Sequence, residues 1–141
     1  MFLLDTNVVS EGRRPARLPR PVADWFAAAP SDEMFISAAT VLEIEIGVRR
    51  LERRDPRQGA ILRRWKSEGL IAAFRGRVLP VDEAIAERCA VMHVPDPRPL
   101  LDSIIAATAI VHQLTLVTRN FGDFVGTGAR LFNPWDQTAA Q

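Results

Sequence analysis

Phe2-Leu3-Leu4-Asp5-Thr6-Asn7, close to the start of the chain, joins three apolar residues directly to an acid. A short, fully apolar segment is typical of a buried strand in a parallel sheet, because helices cover both faces of such a sheet. Asp5 would then lie at the carboxyl end of the strand, where α/β proteins place their binding and active sites. A second explanation stays open, since an Asp before a helix also caps it by accepting backbone N–H bonds.

Short apolar segments alternate with longer helical patterns along the rest of the chain. The sequence predicts strands at Phe2–Leu4, 34–36, Val78–Leu79, 114–118 and 130–132, of which 34–36 could instead be the lead-in to a helix. It predicts helices at 21–29, 37–51, 56–73, 82–93 and 100–112, with Asp82 as the N-cap of the fourth. Strands separated by helices imply an α/β fold with a parallel sheet and right-handed crossovers.

Length and composition exclude several classes of protein. A chain of 141 residues favours one domain, which we predict to span residues 1–136, followed by a flexible tail at 137–141. With 48% hydrophobic and 25% charged residues, the chain is not globally disordered. Its single cysteine excludes an internal disulfide framework. We expect a cytoplasmic protein, because no apolar run is long enough for a membrane span and no basic residue precedes the apolar Met1–Leu4.

The basic residues are unevenly distributed. Seventeen of the 18 are arginines, and eight basic residues lie between Arg49 and Lys66 against only Glu52 and Asp55. Such a segment could attract a polyanion. It could equally form a solvated helical face, and the sequence leaves both interpretations open.

Three further acids stand out by their positions. Glu43 has Gly47 four residues on and so lacks a local cation on an otherwise apolar helix, whereas Glu45 can pair with Arg49. Asp102 lies in the first turn of the most apolar helix, where the helix dipole alone would favour it. Asp123 follows the strand at 114–118, and a capping-box-like pair with Asn120 would also explain it.

A parallel sheet would gather such acids at one edge. Two carboxylates about 4.5 Å apart repel by about 3.7 kcal/mol at an effective dielectric constant of 20, so several would not stay ionised without a cation. Clustered oxygen ligands without Cys or His select a hard ion such as Mg²⁺ or Mn²⁺. A metal ion held by carboxylates, with open positions, is suited to activating water against a phosphodiester.

Four blocks of the sequence together resemble the signature blocks of PIN-domain ribonucleases, in particular the VapC-like toxins of bacterial type II toxin–antitoxin pairs. The blocks are Leu3–Asn7, Ala39–Gly47, Asp102–Ala109 and 117–124. The resemblance implies a three-layer α/β/α fold with a five-stranded parallel sheet in the order 3-2-1-4-5. It implies an Mg²⁺- or Mn²⁺-dependent endoribonuclease that cleaves RNA, binds a cognate antitoxin, and forms a homodimer or a larger hetero-oligomer with that antitoxin.

The resemblance also implies roles for individual residues. The catalytic quartet would be Asp5, Glu43, Asp102 and Asp123, with Asp5 and Asp102 binding the metal and with Asn7, Thr118 and Asn120 supporting them. A catalytically silent fold that binds RNA or an antitoxin without cleavage remains the alternative. We further expect an amphipathic helix of the antitoxin to dock against the helices of residues 37–73.

Overall fold

Five short strands form one sheet in the order β3-β2-β1-β4-β5, and every neighbouring pair is parallel. The computed structural model describes residues 1–136, so the predicted tail lies outside the described residues. The strands are β1 Phe2–Leu4, β2 Met34–Ser37, β3 Val78–Leu79, β4 Thr115–Val117 and β5 Leu131–Phe132. The predicted α/β class and the sheet order implied by the resemblance are both confirmed.

Within residues 1–136, seven α-helices connect and cover these strands. They are α1 Thr6–Gly12, α2 Arg20–Ala28, α3 Ala38–Arg54, α4 Pro56–Arg64, α5 Glu83–Val91, α6 Leu100–Val111 and α7 Phe121–Phe124. The sequence pattern does not predict α7 and predicts α1 only as the helix that Asp5 would cap, because elements of two turns or fewer carry little periodicity. Within residues 1–136, no helix is long and apolar enough to cross a membrane.

The helix predicted at 56–73 is not one regular α-helix. After α4, the chain continues as a wider, π-helical segment at Trp65–Ile71. Gly69 leaves room there for the Trp65 indole, since a Cβ at residue 69 would approach Trp65 Cδ1 to 3.2 Å. The widened turn therefore lets a large aromatic side chain lie over its own helix and still pack on the core.

The core has two parts, one on each face of the sheet, because successive side chains of each strand alternate between the faces. Leu3 and Leu116 face the layer built from α5 and α6. Leu4, Ile36 and Val117 face the opposite layer, which includes α1 and α3. Successive side chains of a strand point to opposite faces, so each strand contributes to both layers of helices. The three-layer α/β/α arrangement follows.

Four of the eight basic residues between Arg49 and Lys66 form ion pairs within residues 1–136, namely Arg49, Arg63, Arg64 and Lys66. Arg63 of α4 binds Glu45 (3.0 Å) and Glu52 (2.7 Å) of α3, and Lys66 binds Glu45 at 2.6 Å. The predicted Glu45–Arg49 pair is also present, at 2.6 Å. These bonds hold α4 against α3, so part of the segment's positive charge is paired within the chain.

Candidate active site

Asp5 lies directly after the central strand β1 and is only 5% exposed. Its Oδ1 accepts from the backbone N of Thr6 (2.8 Å), so it caps α1, and its Oδ2 accepts from the Thr118 hydroxyl (3.0 Å). Burial raises the pKa of Asp5 to about 6; the hydrogen bonds from Thr118 and Thr6 oppose this, and the negative charges of Asp102 and Glu43 add to it. The capping interpretation is therefore confirmed, since Asp5 caps α1. Asp5 is also a buried carboxylate with a raised pKa, and its functional role stays a prediction.

Thr118 and Asn120 fix the turn that follows β4. The Thr118 hydroxyl is fully buried and accepts from the backbone N of Asn120 (3.0 Å), which leaves its own proton for Asp5. The side chain of Asn120 makes no hydrogen bond that caps α7, so the capping-box explanation for Asp123 is wrong. Asp123 is instead held through its backbone N, which donates to the Asn120 carbonyl (3.1 Å), and its side chain is exposed.

Glu43 lies at the rim of the buried face of α3, half-buried and facing α1. The Thr6 hydroxyl donates to Glu43 Oε1 (2.7 Å) and is also hydrogen-bonded to the buried Thr40 hydroxyl (3.0 Å). Sequence reasoning missed both threonines as functional residues. The available signal was weak: Thr40 precedes Glu43 by three residues, which places the two on one side of a helix.

Asp102 is half-buried in the first turn of α6. Burial raises the pKa of Asp102, and the negative charges of Asp123 and Glu43 raise it further. Asp102 and Glu43 also act on Asp5, so the charges of the four predicted acids influence one another. Asn7 is exposed in the first turn of α1, where it lines a cavity together with Asn120.

A small polar cluster holds the start of α6 in place. The Ser103 hydroxyl is buried, donates to the Leu100 carbonyl (2.7 Å) and lies 2.7 Å from His93 Nε2. The buried Cys89 thiol donates to the Ser103 hydroxyl oxygen (3.3 Å). Because Ser103 is adjacent to Asp102 in sequence, this cluster fixes the backbone that carries the acid. No spacing rule reveals this cluster, because Ser103 lies 10 residues from His93 and 14 from Cys89.

The donor set of the site suits a hard divalent cation. Its candidate ligands are carboxylate oxygens. Burial raises the pKa of Asp5 and of Asp102, and repulsion among the acids raises both further. Within residues 1–136, no three Asp, Glu, His or Cys side chains stand close enough to hold one ion by themselves. Mg²⁺ usually keeps several water ligands and is bound through one or two carboxylates, so a site with few protein ligands is compatible with that ion.

Comparison with known proteins places this geometry in a family. Toxin FitB of Neisseria gonorrhoeae is 36% identical, over 96% of this chain and 99% of its own length. VapC ribonuclease Y4jK of Sinorhizobium fredii is 31% identical, with the same coverage of both chains.

Solved structures agree with these relatives. The crystal structure of FitAcB from Neisseria gonorrhoeae matches with a TM-score of 0.84 at 34% identity, covering 96% of this chain and 99% of that one. A toxin–antitoxin complex from Klebsiella pneumoniae matches with a TM-score of 0.64 at 26% identity and the same coverage. The model of the PIN domain matches residues 2–124, which include all four clustered acids. This chain therefore belongs to the PIN-domain family.

Proposed function

We propose that the protein is a metal-dependent endoribonuclease and the toxin of a toxin–antitoxin pair. The observation that supports the activity most is the buried Asp5 carboxylate, held by two hydrogen bonds and facing the charges of Asp102 and Glu43. A raised pKa means that the ionised acids destabilise the folded protein. Such perturbed pKa values are concentrated at functional sites. The ribonuclease and toxin relatives support the same activity for this chain.

In this proposal Asp5 and Asp102 hold Mg²⁺ or Mn²⁺, which, when bound, activates water and stabilises negative charge on the phosphoryl oxygens. Glu43, oriented by the Thr6 hydroxyl, accepts a proton from the attacking water. Asp123 completes the negative site from its exposed position after β4. Thr118 and Asn120 keep Asp5 in place, and Asn7 faces the RNA from the first turn of α1.

Cleavage of single-stranded RNA, measured with EDTA and with Mn²⁺, tests the proposal. We expect cleavage only with the metal. We also expect that the variant Glu43→Gln, which keeps an acceptor for Thr6 but cannot take a proton, is almost inactive. If the wild-type chain binds RNA but never cleaves it with either Mg²⁺ or Mn²⁺, the catalytically silent alternative is correct.

An apolar groove beside α1 is the proposed binding site of the antitoxin. It is lined by Val8 and Val9 of α1, by Phe26 of α2, and by Trp65, Leu70 and Phe74. An amphipathic helix could bury its apolar face there, as expected for a partner that docks by a helix. Trp65 and Leu70 belong to the segment 37–73 predicted for docking, whereas the arginines of that segment do not line the groove.

Growth of a bacterial host tests the toxin role. We expect expression of this chain alone to stop growth and co-expression of its antitoxin to restore it. The variant Ala73→Asp places a charge at an exposed position of the groove and should weaken rescue without touching the acids of the site. A chain that cleaves RNA in vitro but never impairs growth would remove the toxin role and leave the nuclease. The homodimer and the cytoplasmic location remain predictions.

A further inference from the structure

Four arginines converge on a second pocket beside the carboxylates. Arg13, Arg14, Arg17 and Arg119 line it together with a single acid, Glu11. Arg13, Arg14 and Arg17 have no acidic partner within 4 Å among residues 1–136. The pocket is thus strongly positive, and it was not evident from the sequence, because Arg119 lies about a hundred residues from the other three.

Arg119 is held in a defined orientation at the wall of this pocket. Its Nη1 donates to Glu11 Oε1 (2.5 Å), and its guanidinium lies over the Trp135 ring at 5.4 Å from the centroid. Within residues 1–136 its Nε and Nη2 groups have no acceptor, so they remain for a ligand. A guanidinium fixed in this way can donate a pair of parallel hydrogen bonds to a phosphate.

The pocket and the acidic site are joined along one side of α1. Thr6, Ser10 and Arg13 recur at the helical spacing of four and three residues, and Ser10 lines both the arginine pocket and the cavity that holds Thr6 and Glu43. Arg13 also lines both. From Thr6 to Arg13 the helix rises about 10 Å, at about 1.5 Å per residue. A polyanion bound at the acids would therefore continue into the arginines.

We propose that this arginine pocket binds the phosphate backbone of the single-stranded RNA substrate on one side of the cleaved bond. The inference rests on the proposed function. It also addresses a physical requirement of that function, because four carboxylates alone would repel an RNA strand and the pocket supplies compensating positive charge. Backbone contacts of this kind position a strand without reading its sequence.

A matched pair of double variants tests the proposal. Arg14→Gln with Arg17→Gln removes two exposed, unpaired charges of the pocket. Arg53→Gln with Arg57→Gln removes the same charge from exposed, unpaired positions at the junction of α3 and α4, outside the pocket. All four positions are exposed, so both variants should fold with an unchanged melting temperature. Equal charge loss separates a specific contact from a general effect of net charge.

Binding is measured by fluorescence anisotropy of a labelled single-stranded oligoribonucleotide of about 12 nucleotides, in EDTA so that no cleavage occurs. We expect the dissociation constant to rise about tenfold for the pocket variant. The slope of log K against log salt should become less steep by about 1.4, because each of two lost phosphate contacts contributes about 0.7. The control variant should stay within about twofold of wild type. Equal weakening by both variants would overturn the proposal.

Two other outcomes separate this inference from its premises. If the pocket variant binds RNA as the wild type does but no longer copurifies with a co-expressed antitoxin, the pocket belongs to the antitoxin and the inference is wrong. If the wild type never cleaves RNA with Mn²⁺ but the pocket variant still loses RNA affinity, the proposed nuclease fails and the pocket assignment stands. Because binding is read in EDTA, the two failures are distinguishable.

Discussion

Asp5 caps α1 and is proposed to bind the metal, and these two roles make different demands on one side chain. As a cap it needs only an oxygen that accepts the Thr6 N–H, which Asn provides about as well as Asp. As a metal ligand it needs a negative charge, and the site resists that charge, because burial and the neighbouring acids raise the pKa of Asp5. Changing the charge while keeping the shape therefore separates the two roles.

The variant Asp5→Asn should abolish RNA cleavage with Mn²⁺ and should stabilise the metal-free protein at neutral pH. Burial and then repulsion by the neighbouring acids raise the pKa of Asp5 to about 6 from a usual 3.8, so removing its charge contributes about 1–3 kcal/mol. Activity and melting temperature in EDTA are the measurements. Asp82→Asn is the control, since Asp82 caps α5 through the N of Ile85 (3.0 Å) away from the site, and it should change neither.

The pH dependence of that stability difference has a definite sign. A raised folded pKa means that the native state holds the Asp5 proton more tightly than the unfolded chain does, so ionisation costs stability. Wild type and Asp5→Asn should thus be similar below about pH 4 and diverge between about pH 4 and 6, the wild type becoming the less stable. Normal cleavage by Asp5→Asn, or a difference independent of pH, would leave Asp5 as a cap only.

Thr6 is the residue that the structure adds to the site. Thr6→Val keeps the volume and the backbone N–H to Asp5 but removes the hydroxyl that donates to Glu43. We expect cleavage to fall about 10- to 100-fold with little loss of stability, as for other groups that orient a reactive side chain. Thr115→Val is the control, because Thr115 lies on β4 and its hydroxyl has no partner in the described chain. Equal effects of both variants would exclude an orienting role.

At the scale of elements, the packing of α4 on α3 depends on Arg63. Hydrogen bonds from Arg63 and then Lys66 lower the pKa of Glu45 to about 2, from a usual 4.5, and Arg63 also binds Glu52. Gly59 permits the close approach of the two helices, since a Cβ there would collide with the backbone of Glu52. One cation thus joins two acids of the neighbouring helix.

Arg63→Gln should lower the melting temperature more than Arg64→Gln, whose residue makes only an exposed pair with Glu68. The difference should shrink as salt is added, because partly exposed pairs are screened. It should also shrink as the pH falls from about 4.5 toward 2, since a lowered pKa gives stability that is present above the unfolded value and lost on protonation. Equal, salt-independent losses for the two variants would contradict this account.

The sequence predicts features that depend on neighbouring residues, but it does not predict contacts between residues far apart in the chain. The strands, the Asp82 cap and the Glu45–Arg49 pair depend on neighbours within four residues, and all are confirmed. The Thr6–Glu43 and Arg63–Glu45 contacts join residues 37 and 18 positions apart, and no spacing rule reveals them. The π-helical turn depends on how Trp65 packs. The approximate gathering of the acids was predictable, because a parallel sheet aligns its carboxyl ends, whereas their hydrogen-bond partners were not.

At the scale of the whole molecule, α1 borders the apolar groove, the cavity at Glu43 and the arginine pocket. Its buried side, with Val8 and Val9, borders the apolar groove, while its polar side connects Glu43 to the arginine pocket. Its start is capped by Asp5. A partner that fills the groove therefore lies against the same helix that carries the proposed RNA path. Leu18 lines both the groove and the arginine pocket, and Trp65 lines both the groove and the cavity at Glu43, so the proposed antitoxin and RNA sites adjoin each other.

Metal binding should be visible in the stability of the whole protein. A ligand that binds only the native state stabilises it by RT ln(1 + [L]/Kd), which is about 1.4 kcal/mol at ten times Kd. Mn²⁺ and Mg²⁺ should therefore raise the melting temperature of the wild type and of Asp82→Asn, and should hardly affect Asp5→Asn. The metal would offset the burial and the mutual repulsion that raise the pKa of Asp5 and Asp102, so the gain should increase with pH as those acids ionise. Thermal melts at fixed metal concentrations and several pH values provide the measurement. Stabilisation by Zn²⁺ alone would show that the site does not have the preference of a carboxylate cluster, and the same response from Asp5→Asn as from wild type would place the ion elsewhere.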